Sequence, residues 1–242
     1  MISTSSISAM RPASGLGTGG LSGSTSSLAA GGLNVRRERI ERLKARIPKP
    51  GEASFFFYDA HFKADAVKVL PGEYFVFNED VLIMTTLGSC IATCLWDRQA
   101  KIGGMNHFML PDNGGGASDS GRYGSYAMEL LINEMLKMGA SRLTLEAKVF
   151  GGGAVISGMN TINVGERNTE FVMDYLKLER IPVVSKDVLD IYPRKVCFFP
   201  HSGKAMVKRL APTNPEQIVQ QERLAAQKVA PASTGGGSID LF

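Results

Sequence analysis

The sequence predicts an α+β fold in which mixed or antiparallel β-sheets form a layered sandwich flanked by two main helices. Short apolar runs separated by turn residues recur between about residues 53 and 210, as strands do. Only two long stretches in that span, 123–138 and 165–178, carry helical spacing. With so few helices between them, strands adjacent in sequence favour direct pairing over alternating parallel units.

Residues 1–33 are mostly Ser, Gly, Ala and Thr, a composition too poor in apolar surface to offset the entropy of ordering it, so a disordered leader is expected. Residues 34–52 read as a basic amphipathic helix and linker. Ile40, Leu43 and Ile47 recur at spacings of three and four, and Pro48 and Pro50 stop the pattern. Such a helix suits an acidic partner or a membrane surface, or is a solvated helix docked on the folded domain.

The domain is expected over 53–210. Phe55, Phe56, Phe57 and Tyr58 open it, and Pro71 and Gly72 make a turn. Residues 74–77 and 81–86 then read as strands, followed by a pair at 91–96 and 102–110. A glycine loop at 114–116 leads into the first helix, with Met128, Leu131, Ile132 and Met135 on one face and Gly139 as its stop. A strand at 143–150 enters a second glycine run, 151–153, and the next helix places Phe171, Tyr175 and Leu178 at helical spacing. Val183 and Val184, then 195–199 and 204–208 across Ser202 and Gly203, complete the strands. Residues 211–242 read as a helix at 215–228 and a flexible tail. The tail ends Ile239, Asp240, Leu241, Phe242, a frayed terminus or a docking peptide.

The net charge of +4 in 242 residues is concentrated in one place: residues 34–50 hold seven Lys and Arg against two Glu. The rest is close to neutral, which argues against a nucleic-acid-binding face on the domain. Three cysteines do not make a disulfide framework, and no apolar run reaches the roughly 18 residues of a transmembrane helix or resembles a signal peptide. A soluble cytoplasmic protein is expected.

The chemistry is sought between Thr85 and His107. If the two apolar runs form a hairpin with a loop symmetric about Arg98 and Gln99, Trp96 pairs with Lys101 and Cys90 falls opposite His107. Opposed residues of an antiparallel pair share a face, with Cβ atoms about 4.5–5.5 Å apart. An imidazole beside a thiol lowers its pKa and supplies a proton to a leaving amine, the minimum equipment for acyl transfer. Gly88 and Ser89 permit a tight turn whose N–H groups face an oxyanion, and Thr85 or Thr86 is the nearest hydroxyl to hold the ring. The bland alternative is a small buried hydrophobe and a satisfied core histidine.

Cys90, Cys94 and His107 make only a weak zinc signal, since no second tight pair accompanies them, and core packing is expected of Cys94 and Cys197. His61 and His201 are expected at the surface. The glycine runs lack the Lys and Ser/Thr of a phosphate loop and read as rims of a site or as turns. Neither metal nor organic cofactor is expected.

From Val67 to Lys208 the sequence resembles the CheD family of chemotaxis proteins. The resemblance rests on Leu70-Pro71-Gly72-Glu73-Tyr74, Leu87-Gly88-Ser89-Cys90, Gly103 to Pro111, Arg122-Tyr123 with Ala127 to Ile132, Lys148-Val149-Phe150-Gly151-Gly152, and Gly165-Glu166-Arg167-Asn168. It implies a protein-glutamine deamidase that converts glutamines of methyl-accepting chemoreceptors to glutamate during adaptation, with a fold similar to that of a deamidating bacterial toxin. Carried over by motif, Cys90 is the nucleophile, His107 the base and Thr85 the third member, with Thr86 the alternative. The implied partners are receptor cytoplasmic helices and a CheC-type phosphatase. A non-catalytic docking module and a receptor methylester hydrolase are the competing readings. One departure stands out: relatives commonly show Asp, any residue, then two glycines where this chain reads Asp187-Val188-Leu189-Asp190.

Overall fold

The computed structural model describes residues 38–110, 117–155 and 164–211, with single helical positions at 220 and 224. The expected leader, the glycine loop at 114–116, most of the helix at 215–228 and the apolar tail tip lie outside the described residues. In chain order, α1 spans 38–45, β1 Phe55–Asp59, β2 Ala64–Lys68, β3 Tyr74–Phe77, β4 Leu82–Leu87, β5 Ile91–Asp97 and β6 Ile102–Phe108. Helix α2 (Ala117–Lys137), β7 (Leu145–Gly151), α3 (Val164–Leu178), β8 (Val183–Val188), β9 (Arg194–Phe199) and β10 (Lys204–Arg209) follow.

The strands form two five-stranded sheets, ordered β1-β2-β4-β9-β10 and β3-β6-β5-β7-β8. Every pairing is antiparallel except β2 with β4 and β7 with β8, so both sheets are mixed. The α+β expectation holds, and its physical basis is visible in two cores. Between the sheets, Val67, Ile83, Leu87, Val196 and Phe198 meet Phe75, Phe77, Ala92, Cys94, Met105 and Phe150. On the other face of the second sheet, Ile91, Leu95, Phe108 and Val149 receive Met128, Leu131, Ile132 and Met135 of α2 and Val172 and Leu176 of α3. The middle sheet is therefore buried on both faces, and β5 and β6 at its centre are buried almost throughout.

Some elements depart from the sequence expectation, each for a local reason. Strand β2 was not expected, because Ala-Asp-Ala-Val-Lys shows neither alternation nor β-branched density, yet Ala66 and Val67 are fully buried. Strand β7 starts at Leu145, since Ser141 accepts from Leu143 N and opens a 3₁₀ turn over Arg142–Thr144 that leaves Leu143 in solvent. In α3, Leu178 is exposed, Phe171 and Tyr175 are half-buried, and the deeply buried line is Gly165, Asn168, Thr169, Val172 and Leu176. Two polar members broke the apolar period there. Leu43 of α1 enters the inter-sheet core, while Ile47, beyond the end of α1, is exposed to solvent. Arg46 bonds Glu52 within the segment, while Arg42 bonds Glu79 and Lys49 bonds Glu134, which ties residues 42–49 to the domain. Among the described residues no helix is long and apolar enough to cross a membrane.

The hairpin of β5 and β6 forms with a different register from the expected one. Asp97 pairs with Ile102, and His107 lies opposite Ala92, with Cys90 two residues earlier and just outside the strand. The cause is Asp97, whose Oδ1 accepts from Gln99 N and Ala100 N and so starts the turn one residue later, with Lys101 at φ 57° closing it. Each strand moves by one residue, so the side-chain parity is unchanged and Cys90 keeps the same face as His107.

Candidate active site

Strand β4 belongs to the first sheet and β5 to the second, so Gly88, Ser89 and Cys90 carry the chain from one sheet to the other. Cys90 is thus delivered to one end of the inter-sheet core, where it is fully buried, and His107 on β6 is almost completely buried there too. Thr85 reaches them from the first sheet: its Oγ1 lies 2.8 Å from His107 Nδ1. Thr86 does not, because successive strand residues alternate and Thr85 is the one on the face of Ile83 and Leu87.

The direction of the Thr85–His107 hydrogen bond follows from a second one. The Thr85 hydroxyl donates to Val69 O at 2.7 Å, so towards the ring its oxygen accepts. Nδ1 of His107 therefore carries the hydrogen, and in the neutral ring the basic lone pair is on Nε2. The backbone of His107 is fixed as well, its N–H donating to Glu73 O and its carbonyl accepting from Gly72 N.

The glycine run after β7 packs against the cysteine turn. Gly152 N donates to Cys90 O and Gly153 N to Gly88 O, both at 2.8 Å. Gly151 has φ 115°, and a Cβ there would sit 2.1 Å from Cys90 O, so this approach requires glycine. The carbonyl of Ser89 between them is held by Asn168, whose Nδ2 donates to it at 2.9 Å. The run 151–153, read from sequence as a rim of a site or a turn, packs against the cysteine turn, whereas Asn168 was not foreseen as part of the site. The signal available was the motif Gly165-Glu166-Arg167-Asn168, in which a polar residue interrupts a buried helix face.

Tyr123 of α2 also belongs to this neighbourhood: burial pushes its hydroxyl above the ordinary phenol range, and the charge of Cys90 adds to the shift. Cys94 faces the inter-sheet core and Cys197 the outer face of the first sheet, with burial pushing both thiols up. They serve as core residues. His61 and His201 are exposed, in the turns after β1 and β9.

The departure at 187–190 also finds an explanation. Leu189 and Asp190, at the positions where the resemblance has glycines, adopt φ 65° and 67°, the left-handed region that costs a non-glycine residue about 1–2 kcal/mol. The fully buried Arg194 holds that loop, donating to Asp187 Oδ1, Leu189 O and Tyr192 O. Arg194 thus secures, in this chain, a left-handed backbone that glycine would adopt without strain.

The family model for CheD chemotactic sensory transduction matches residues 109–209. The probable chemoreceptor glutamine deamidase CheD 1 of Albidiferax ferrireducens is 62% identical over 89% of this chain and 90% of its own. Those of Janthinobacterium sp. and Herminiimonas arsenicoxydans are 50% and 52% identical, over 82% and 78% of this chain and 99% and 95% of theirs. At such identity over nearly whole chains, the protein belongs to the CheD family.

Proposed function

We propose that this chain is a chemoreceptor glutamine deamidase in which Cys90 is the nucleophile, His107 the base and acid, and Thr85 the group that orients the ring. Relatives of 50–62% identity are named for this activity, which favours it over docking alone or methylester hydrolysis. The family-model match begins beyond His107, so the roles of the pair are supported by the motif resemblance and by geometry and not by that match. The observation that carries them is the hydrogen bond from His107 Nδ1 to Thr85, which leaves Nε2 as the basic atom of a buried ring on the face of Cys90.

The Cys90 thiol gives its proton to His107 Nε2, and the thiolate attacks Cδ of a receptor glutamine. N–H groups of the Gly88–Cys90 turn serve as donors to the oxyanion. As the tetrahedral species collapses, the imidazolium protonates the departing nitrogen and ammonia leaves a thioester. His107 then takes a proton from water, hydroxide adds to the thioester, and glutamate is released as Cys90 regains its proton. Thr85 accepts from Nδ1 throughout and stabilises the imidazolium. The net change is glutamine plus water to glutamate plus ammonia.

Mass spectrometry of a receptor cytoplasmic fragment tests this reading. Wild type adds about one dalton at chosen glutamines, and Cys90→Ala adds none. A wild type that binds the fragment yet leaves every glutamine unchanged overturns the assignment, and release of methanol from methylated receptor without a glutamine mass change selects the esterase.

A further inference from the structure

We propose that Asn168 is a positioning residue for the Cys90–His107 pair, setting the plane of the peptide that carries the thiol relative to the end of the strand that carries the imidazole. This rests on Cys90 being the nucleophile.

Asn168 lies in the second turn of α3 and is fully buried. Both ends of its amide are used: Nδ2 donates to Ser89 O, and Oδ1 accepts from Leu110 N, each at 2.9 Å. Those partners fix which end is nitrogen, because a carbonyl requires the donor and an N–H the acceptor. Ser89 precedes Cys90, and Leu110 is three residues beyond His107. One rigid planar group therefore spans the two segments that bring the reactive side chains together.

The effect on the thiol follows from peptide geometry. The Ser89–Cys90 peptide is planar, so directing its carbonyl towards α3 also fixes the direction in which the chain enters Cys90. The carbonyls on either side are held by backbone N–H groups of Gly153 and Gly152. The middle one is held by a side chain from a different element, and that makes it separable by mutation. A buried amide with only one end bonded would cost more than an apolar residue, so an asparagine here is favourable only while both segments keep their places.

The test uses the full chain, with deamidation of a receptor fragment and ultraviolet thiolate absorbance against pH, with Cys90→Ala as the blank that isolates the Cys90 signal. In Asn168→Ala we expect kcat to fall about 10–100-fold with KM within about twofold, and the thiolate midpoint to rise by about one unit as the imidazole loses its place beside the thiol. A folded Asn168→Ala with wild-type kcat and an unchanged midpoint overturns the proposal. Should that variant not fold, Asn168→Asp decides. Its protonated carboxyl offers the same donor and acceptor, and burial raises its pKa towards neutrality. Its kcat relative to wild type then rises as pH falls, whereas a flat ratio overturns the proposal. If wild type turns over no receptor glutamine, the deamidase reading fails separately, and the absorbance titration still reads Asn168 against the thiol.

Discussion

The two ends of the β5–β6 hairpin each hold a buried polar cluster, and the clusters are built on opposite principles. At the turn end, the carboxylate of Asp97 accepts from Gln99 N, Ala100 N, Ser141 N and Thr144 Oγ1 at 2.7–3.0 Å. Every donor is fixed and no partner titrates near neutrality, so the charge is settled in the folded state. At the open end, His107 is anchored through Nδ1 by a hydroxyl from the other sheet, and the proposed mechanism uses its other ring nitrogen, Nε2, to carry the proton. A saturated polar group contributes stability, and a polar group anchored on one side and exchangeable on the other is equipped for chemistry. Burial alone does not separate the two, since Asp97, Cys90 and His107 are all nearly inaccessible.

Substitutions at the two ends should therefore separate rate from stability, and the largest separation is expected at Cys90. Cys90→Ala should lower deamidation by about 10³-fold or more, while removal of one buried sulfur costs only about 1 kcal/mol in denaturant unfolding. Retention of a tenth of the activity breaks the contrast. Asp97→Ala should do the reverse. It strands the N–H groups of Gln99, Ala100 and Ser141 and costs about 2–4 kcal/mol of unfolding free energy, with kcat per folded molecule unchanged. A fall in kcat for folded Asp97→Ala would mean that the two ends are coupled.

A smaller effect sharpens the site itself. Thr85→Val keeps the shape of the side chain and removes the acceptor for His107 Nδ1–H, so kcat should fall about 10–100-fold. Thr85→Ser retains the hydroxyl and should stay within about threefold of wild type. Equal losses in both variants would assign the effect to packing of the methyl group instead of the hydrogen bond.

How far the sequence disclosed this site depended on what kind of information each part needed. The apolar runs of β3 to β6 are legible because a middle sheet buried on both faces must be apolar throughout. The pairing of Cys90 with His107 was misplaced by one residue on each strand, since the side chain of Asp97 moved the turn. The shared face survived because only an odd shift in register would have reversed it. The choice between Thr85 and Thr86 was not legible, as it depends on which face of β4 meets the second sheet, a matter of packing between segments distant in sequence. Asn168 was hidden for a similar reason: a polar residue on a buried helix face weakens the periodic signal, and its value lies in partners 79 and 58 residues away.

Acid provides the most delicate test of the comparison. Burial pushes the carboxyl of Asp97 up, but hydrogen bonds from Thr144, Ser141, Ala100 and Gln99 outweigh it and hold the carboxyl below its ordinary value of 3.8. A group whose folded pKa is depressed contributes stability that is fully present above its unfolded pKa and is lost as pH falls through the folded one. The destabilisation of Asp97→Asn relative to wild type should thus be constant from about pH 5 upward and shrink below about pH 4. Glu134 and Asp187 are depressed as well, so wild type alone would report a mixture, and the difference between the two proteins isolates Asp97. Urea unfolding at several pH values measures it. A difference that stays constant below pH 4 would show that the four donors hold Asp97 by geometry alone, and the turn end would lose its electrostatic distinction from the open end.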